Sequence, residues 1–148
     1  MPSVRRHALP DGFFHVTARG VNGAEVFLVD LDRFDFLDVL GRTVERHGLL
    51  VVARCLMDTH YHLVVQATTA TLSASMQHLN GVYARRFNKR HGRRGHVFGE
   101  RFSCWVIRDE AHLGAALQYV VDNPVKAGMC EVGDEWPWTR VEVDQLRS

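Results

Sequence analysis

Two histidines one residue apart, His60 and His62 in the run THYHLVV, are the first residues whose types and spacing could do chemistry. Successive side chains of a strand point to opposite faces, so these two project from one side, about 7 Å apart along the backbone, while Tyr61 points to the other. Two imidazoles side by side suit a single divalent metal ion. They also fit a half-exposed strand with two incidental histidines, in a chain that has nine. A second set lies downstream in DEAHLGAALQYVVDN. At about 100° per residue, Leu113, Leu117, Val120 and Val121 form a core-facing stripe, and His112, Ala115, Tyr119 and Asn123 fall on another side. Tyr119 and Asn123 are helical neighbours, so a phenol and an amide oxygen project together. On the residues alone, a half-buried tyrosine followed by an asparagine capping the helix before Pro124 accounts for them as well.

The elements that must position these side chains follow from pattern. Phe13 to Ala18 alternate as a strand that stops at Arg19-Gly20 and turns through Gly-Val-Asn-Gly. Asp30 can cap a helix with Leu31, Phe34, Leu37, Leu40 and Val44 at helical spacing, ended by Gly48. Residues 49–56 then read as a buried strand, with YHLVVQA as its hairpin partner after a Met-Asp-Thr turn. The two histidines open that partner strand. A second helix is expected from near Thr71, burying Leu72, Met76, Leu79, Tyr83 and Phe87 and breaking at His91-Gly92. A strand from Phe102 to Ile107 leads to Asp109 as N-cap of a third helix, which should end before Pro124 because the residue ahead of a proline disfavours helical geometry. Trp136-Pro137-Trp138 should pack against the body. This order predicts an α+β fold, a ferredoxin-like antiparallel sheet with helices on one face and one extra helix (β-α-β-β-α-β-α), as one domain over residues 1–148.

Composition agrees with one compact domain: 148 residues, 46% hydrophobic and 24% charged. No apolar run approaches the roughly 18 residues needed to span a bilayer, and MPSVRRHALPDG has no apolar stretch behind its charges, so no membrane role and a cytoplasmic location are expected. Cys55, Cys104 and Cys130 are odd in number and widely spaced, which fits buried free thiols rather than a disulfide framework or a zinc site. The net charge of +1 conceals a division along the chain. Residues 83–101 carry seven basic side chains and one acidic, whereas the flanks carry eleven and sixteen. Arg85, Arg86, Lys89, Arg90, Arg93 and Arg94, interleaved with Tyr83, Phe87, His91 and His96, suit phosphate contacts and base stacking. A solvated helix end would carry the same charges.

LMDTHYHLVV resembles the histidine–apolar–histidine (HUH) motif of single-tyrosine nucleases, and QYVVDNPVKAGM resembles the tyrosine-bearing segment of transposases related to small insertion sequences. FHVTARGVN and MQHLNGVYARRFNKRHGRRGHVFGERF extend the similarity over about residues 5 to 130. Within this group the chain is most similar to the REP-associated tyrosine transposases, which act on hairpin-forming repeats. The resemblance implies that His60 and His62 are metal ligands, Tyr119 the nucleophile and Asn123 the third ligand, with Mg²⁺ or Mn²⁺ as the ion. Two imidazoles by themselves would favour a later metal. It also implies a single-stranded or hairpin DNA substrate, cleaved and rejoined through a 5′-phosphotyrosine and a free 3′-OH. Three departures or alternatives accompany it. Asp58-Thr59 stands where the family usually has proline and asparagine, which alters the turn or adds a carboxylate near the site. Insertion-sequence relatives have glutamine at the position of Asn123, and Asp122 beside it competes for the metal. Those relatives act as dimers, whereas the repeat-associated group need not, so homodimer and monomer both stand. The rival from a different class is a non-catalytic ferredoxin-like nucleic-acid binder whose histidines serve only structure.

Overall fold

The computed structural model describes residues 12–142. The N-terminal segment read above for a leader lies outside them. Eight regular elements follow in order: β1 (Phe13–Arg19), α1 (Asp30–His47), β2 (Leu50–Leu56), β3 (His60–Gln66), α2 (Thr69–His91), β4 (Ser103–Ile107), α3 (Glu110–Lys126) and β5 (Thr139–Val141). The strands form one antiparallel sheet in the order β4-β1-β3-β2-β5, so β3 is central and the sheet is the expected ferredoxin-like one. β5 was not anticipated. Its three residues are too few for periodicity, and pairing with β2 makes them a strand.

Alternation along β1 and β3 gives the sheet two different faces. Phe14, Val16, Ala18, Tyr61, Leu63 and Val65 join a core with α1 and α2, built on Phe36, Val39, Leu40, Leu72, Met76, Leu79, Tyr83 and Phe87. Phe13, Val64, Val52, Cys55 and Ile107 join a second core with Leu113, Ala116 and Val120 of α3. Two helices thus cover one face, and the extra helix lies on the other. The stripe expected on α2 is the observed one. On α1 the expected stripe is displaced: Leu31 and Phe34 are 58% and 60% exposed, and Phe36, Val39, Leu40 and Thr43 face the sheet. Polar burial moves it. Arg33 is buried with its guanidinium over the rings of Phe27, Trp136 and Trp138, which docks the tail as expected.

The start of α1 depends on Asp32 rather than Asp30. The Asp32 carboxylate is wholly buried, accepts the backbone N–H groups of Leu28 and Val29, and receives Arg90 Nη1 (2.7 Å) and His91 Nε2 (2.9 Å) from the end of α2. Burial alone would raise its pKa, but the Leu28 N–H, His91, Arg90 and the Val29 N–H outweigh burial and leave it lowered. Asp32→Ala should therefore cost about 2–3 kcal/mol, less than a wholly buried pair because the Arg90 side chain keeps 26% exposure. A fall in the urea midpoint at unchanged slope is the expected result; an unchanged midpoint would show that solvent replaces the carboxylate.

α3 continues through Pro124 instead of ending before it. The proline sits in the last turn and is buried, and the chain closes with Ala127 N–H on Asn123 O and Met129 N–H on Pro124 O. Burial and these closing bonds offset the amide hydrogen bond that proline cannot make. Among the cysteines only Cys55 is buried; Cys104 is exposed on the edge strand β4, where no second layer covers it, and Cys130 is intermediate. All three are free thiols. No helix among the described residues is long and apolar enough to cross a membrane.

Candidate active site

His60 and His62 stand at the start of β3 on the α3 face of the sheet, with ring centroids 4.9 Å apart. Tyr119, in the C-terminal half of α3, sets its ring edge-on to His62 at 5.5 Å. The Asn123 amide, one turn further on, stands close enough to both imidazoles to draw their pKa values upward. Strand alternation and helix spacing bring together the four residues that the sequence singled out.

Among the three tyrosines, the environments are distinct. Tyr61 is wholly buried on the opposite face and donates its hydroxyl to Asn80 Oδ1 (2.5 Å), and Tyr83, also buried, donates to Val26 O (2.5 Å). Burial raises both phenol pKa values far above the usual range. Tyr119 is 43% exposed, with Lys126 Nζ 5.5 Å from its ring centroid. It alone is open to an incoming substrate.

The nitrogen atoms of the pair are sorted by hydroxyl groups. Thr17 Oγ1 lies 2.9 Å and His15 Nε2 3.1 Å from His62 Nδ1, and Thr59 Oγ1 lies 3.0 Å from His60 Nδ1. A proton on Nδ1, directed at a threonine oxygen, leaves Nε2 as a bare lone pair. His62 Nε2 is buried and has no hydrogen-bond partner, which is the state of a nitrogen that a cation would complete. No three His, Cys, Asp or Glu side chains among the described residues converge on a common point. Of the two neighbours that could add an oxygen, the Asn123 side chain lies within hydrogen-bonding reach of both imidazoles, and Asp122 accepts from Gln118 Nε2 (2.9 Å). The departure at Asp58-Thr59 has a similar resolution: Asp58 pairs with the buried Arg33 at 2.6 Å, and Thr59 supplies the hydroxyl on His60.

Burial, more than any neighbour, lowers the pKa of His60 to about 4 and of His62 to about 3. Arg19 adds to the lowering of both, and the rings of His60 and His15 add to that of His62. Both rings are therefore neutral imidazoles at pH 7. In the unfolded chain they protonate near the ordinary 6.5, so the unfolded state binds more protons between that value and the folded ones. The stability they contribute is fully present above pH 6.5 and is lost as pH falls toward 3–4. In chelator, wild-type Tm should fall more steeply between pH 7 and 4 than that of His62→Gln. Parallel curves would mean that the rings are solvated.

His15, Thr17 and Arg19 were not singled out from the sequence as site residues. The available signal was period-two alternation, which puts them with Phe13 on one face of β1, opposite β3 in the register Thr17↔His62 and Arg19↔His60. The basic block divides. Arg86 pairs with Asp35 (2.7 Å) and Asp38 (3.0 Å), and Arg90 with Asp32 (2.7 Å) and Asp35 (3.1 Å), so both are tied to α1. Arg85, Lys89, Arg93 and Arg94 are exposed and form no ion pair with a described carboxylate. They belong to the helical layer and its following loop, not to the α3 face.

Residues 13–123 match the family model described as "Transposase IS200 like". A Haemophilus influenzae (strain ATCC 51907 / DSM 11121 / KW20 / Rd) protein provisionally named REP-associated tyrosine transposase is 27% identical over 155 residues, covering 97% of this chain and 88% of its own length. Among solved structures, a REP-associated tyrosine transposase bound to a REP hairpin superposes with a TM-score of 0.72 at 16% identity, over 94% of this chain and 82% of that one. A protein from Deinococcus radiodurans, provisionally described as a transposase, superposes with a TM-score of 0.55 at 20% identity, over 83% and 97%. At these identities the two structures establish the fold.

Proposed function

Because this chain belongs to the IS200-like transposase family, we propose that it is a single-tyrosine DNA strand transferase of the HUH type, cleaving single-stranded DNA beside a hairpin. The observation that carries this reading is the meeting of an exposed phenol with two neutral, hydroxyl-oriented imidazoles and one amide, on one face of the sheet. Tyr119 Oη attacks the scissile phosphorus, the P–O3′ bond breaks, and the strand leaves with a free 3′-OH while its other end stays as a 5′-phosphotyrosine. The phosphodiester energy is retained in that link, so a 3′-OH can reverse the step and rejoin DNA without a nucleotide cofactor.

The donor set fits a divalent ion, Mg²⁺ or Mn²⁺, between His60 Nε2, His62 Nε2 and the Asn123 amide oxygen, with His62 Nε2 already buried and unpaired. When bound, such an ion supplies charge stabilisation at a phosphate oxygen. Thr17 and Thr59 hold the ligand tautomers, the sheet orients the rings, and α3 presents the nucleophile. Arg85, Lys89, Arg93 and Arg94 are available for DNA phosphates, and Arg86 and Arg90 contribute through the shape of the α1–α2 layer. A hairpin DNA partner is proposed on the likeness to the hairpin-bound relative. The test is a denaturing gel of purified protein with Mn²⁺ and a labelled hairpin oligonucleotide carrying single-stranded flanks. A protein-linked DNA species is expected. A mobility shift without any covalent species would instead support a binding protein.

A further inference from the structure

On the α3 face, β1 and β4 together make a continuous row beside the histidine pair. The register sets Thr17 against Ser103 and His15 against Trp105, and Arg19 lies one step beyond Thr17. Arg19, Thr17, Ser103 and Arg101 line one groove of about 440 Å³. Glu100 also lines it, leaving one net positive charge, and neither arginine is ion-paired with a described carboxylate. Arg19 stands directly opposite His60 in the β1–β3 register, which places its charge beside the histidine pair. At the other end Trp105 is 52% exposed on the edge strand, an arrangement that folding alone does not reward. Its ring contacts His15 at 5.3 Å, and His15 contacts the Tyr119 ring at 5.4 Å. One ring therefore separates an exposed indole from the nucleophile. From Arg19 to His15 the row spans about 13 Å of strand.

We propose that this row is the track for the strand being cut: Arg19 and Arg101 hold backbone phosphates in the groove, and Trp105 stacks on an unpaired base next to the scissile position. The proposal rests on the strand-transferase reading, yet it locates the cleaved strand on the β1–β4 edge of the α3 face. The basic helical layer lies across the sheet from it and is left to other parts of the DNA. A base that stacks must be unpaired, so the track selects single-stranded DNA at the cut without reading its sequence.

The experiment measures binding of a fluorescein-labelled single-stranded oligonucleotide in chelator, where no cleavage occurs. Trp105→Ala should weaken binding about tenfold, within the range for one base–aromatic stack, and Trp105→Phe should recover most of it. An abasic substitution walked along the oligonucleotide should find one position at which wild type and Trp105→Ala bind equally. Arg19→Ala should lower the salt slope by about 0.7, the contribution of one phosphate contact on a single strand, and Arg19→Lys should restore it. Unchanged affinity for Trp105→Ala, no such abasic position, or an unchanged slope for Arg19→Ala would each overturn the track. These readouts are independent of covalent chemistry, so failure of the track and failure of the Tyr119 reading are distinguishable.

Discussion

Tyr119→Phe should abolish the covalent protein–DNA species and lower strand cleavage on the order of 10⁴-fold or more, the scale reached when a covalent nucleophile is deleted, while DNA affinity changes less than about twofold. The substitution removes one oxygen from a residue that is 43% exposed and whose ring contacts to His15 and His62 survive in phenylalanine. No core packing is lost, so an effect on folding would not confuse the result. Tyr61 and Tyr83 cannot substitute, since each is buried with its hydroxyl donated to an internal oxygen. Gel detection of the adduct and single-turnover cleavage check the two halves. Cleavage that survives Tyr119→Phe would mean that water, not the phenol, attacks, and the chain would be a hydrolase.

If His62 holds the proposed ion, His62→Ala should lower cleavage by about 10³-fold or more with DNA affinity retained, because a ligand to a charge-stabilising ion acts on the transition state more than on binding. Thr17→Val gives the graded counterpart. It keeps shape but removes the oxygen 2.9 Å from His62 Nδ1, and a partner that orients a metal-bound histidine is worth about 10- to 100-fold in metal affinity. Mn²⁺ titration followed by electron paramagnetic resonance reads this without reference to activity. Thr17→Val should weaken Mn²⁺ binding and be rescued in cleavage by raised Mn²⁺, whereas His62→Ala should not be rescued. Equal loss of DNA affinity in both variants would point to a structural role for the pair.

What the sequence made legible was whatever rests on local periodicity. The strands β1 to β4, the α2 stripe and the shared face of His60 and His62 all follow from alternation or helical spacing, and the structure has each of them. The α1 stripe was misjudged because hydrophobicity is a poor guide where Arg33 and Asp32 are buried: the apolar Leu31 and Phe34 yield their places to charged groups whose partners come from distant segments. Pro124 misled for a related reason, since a local preference against helix gave way to burial of the proline. The fates of Arg86 and Arg90 could not be read at all, as their aspartate partners lie about fifty to sixty residues away. His15 and Thr17 join the site only through the β1–β3 register, a tertiary fact. The Tyr119–histidine encounter also depends on which face α3 covers.

The two halves of the site are anchored by different means. His60 and His62 belong to a strand paired on both sides, by β1 along its whole length and by β2. Tyr119 and Asn123 ride on a helix joined to the sheet by side-chain packing, chiefly through Leu113, Ala116 and Val120. Backbone ladders yield only when strands separate, whereas a packed helix can shift or tilt at the cost of contacts that re-form. A DNA end linked to Tyr119 would therefore travel with the helix while the imidazoles keep their place. The sheet would act as the fixed jaw of a vice and α3 as the moving one, so that exchange of one strand for another need not dismantle the half of the site that handles charge.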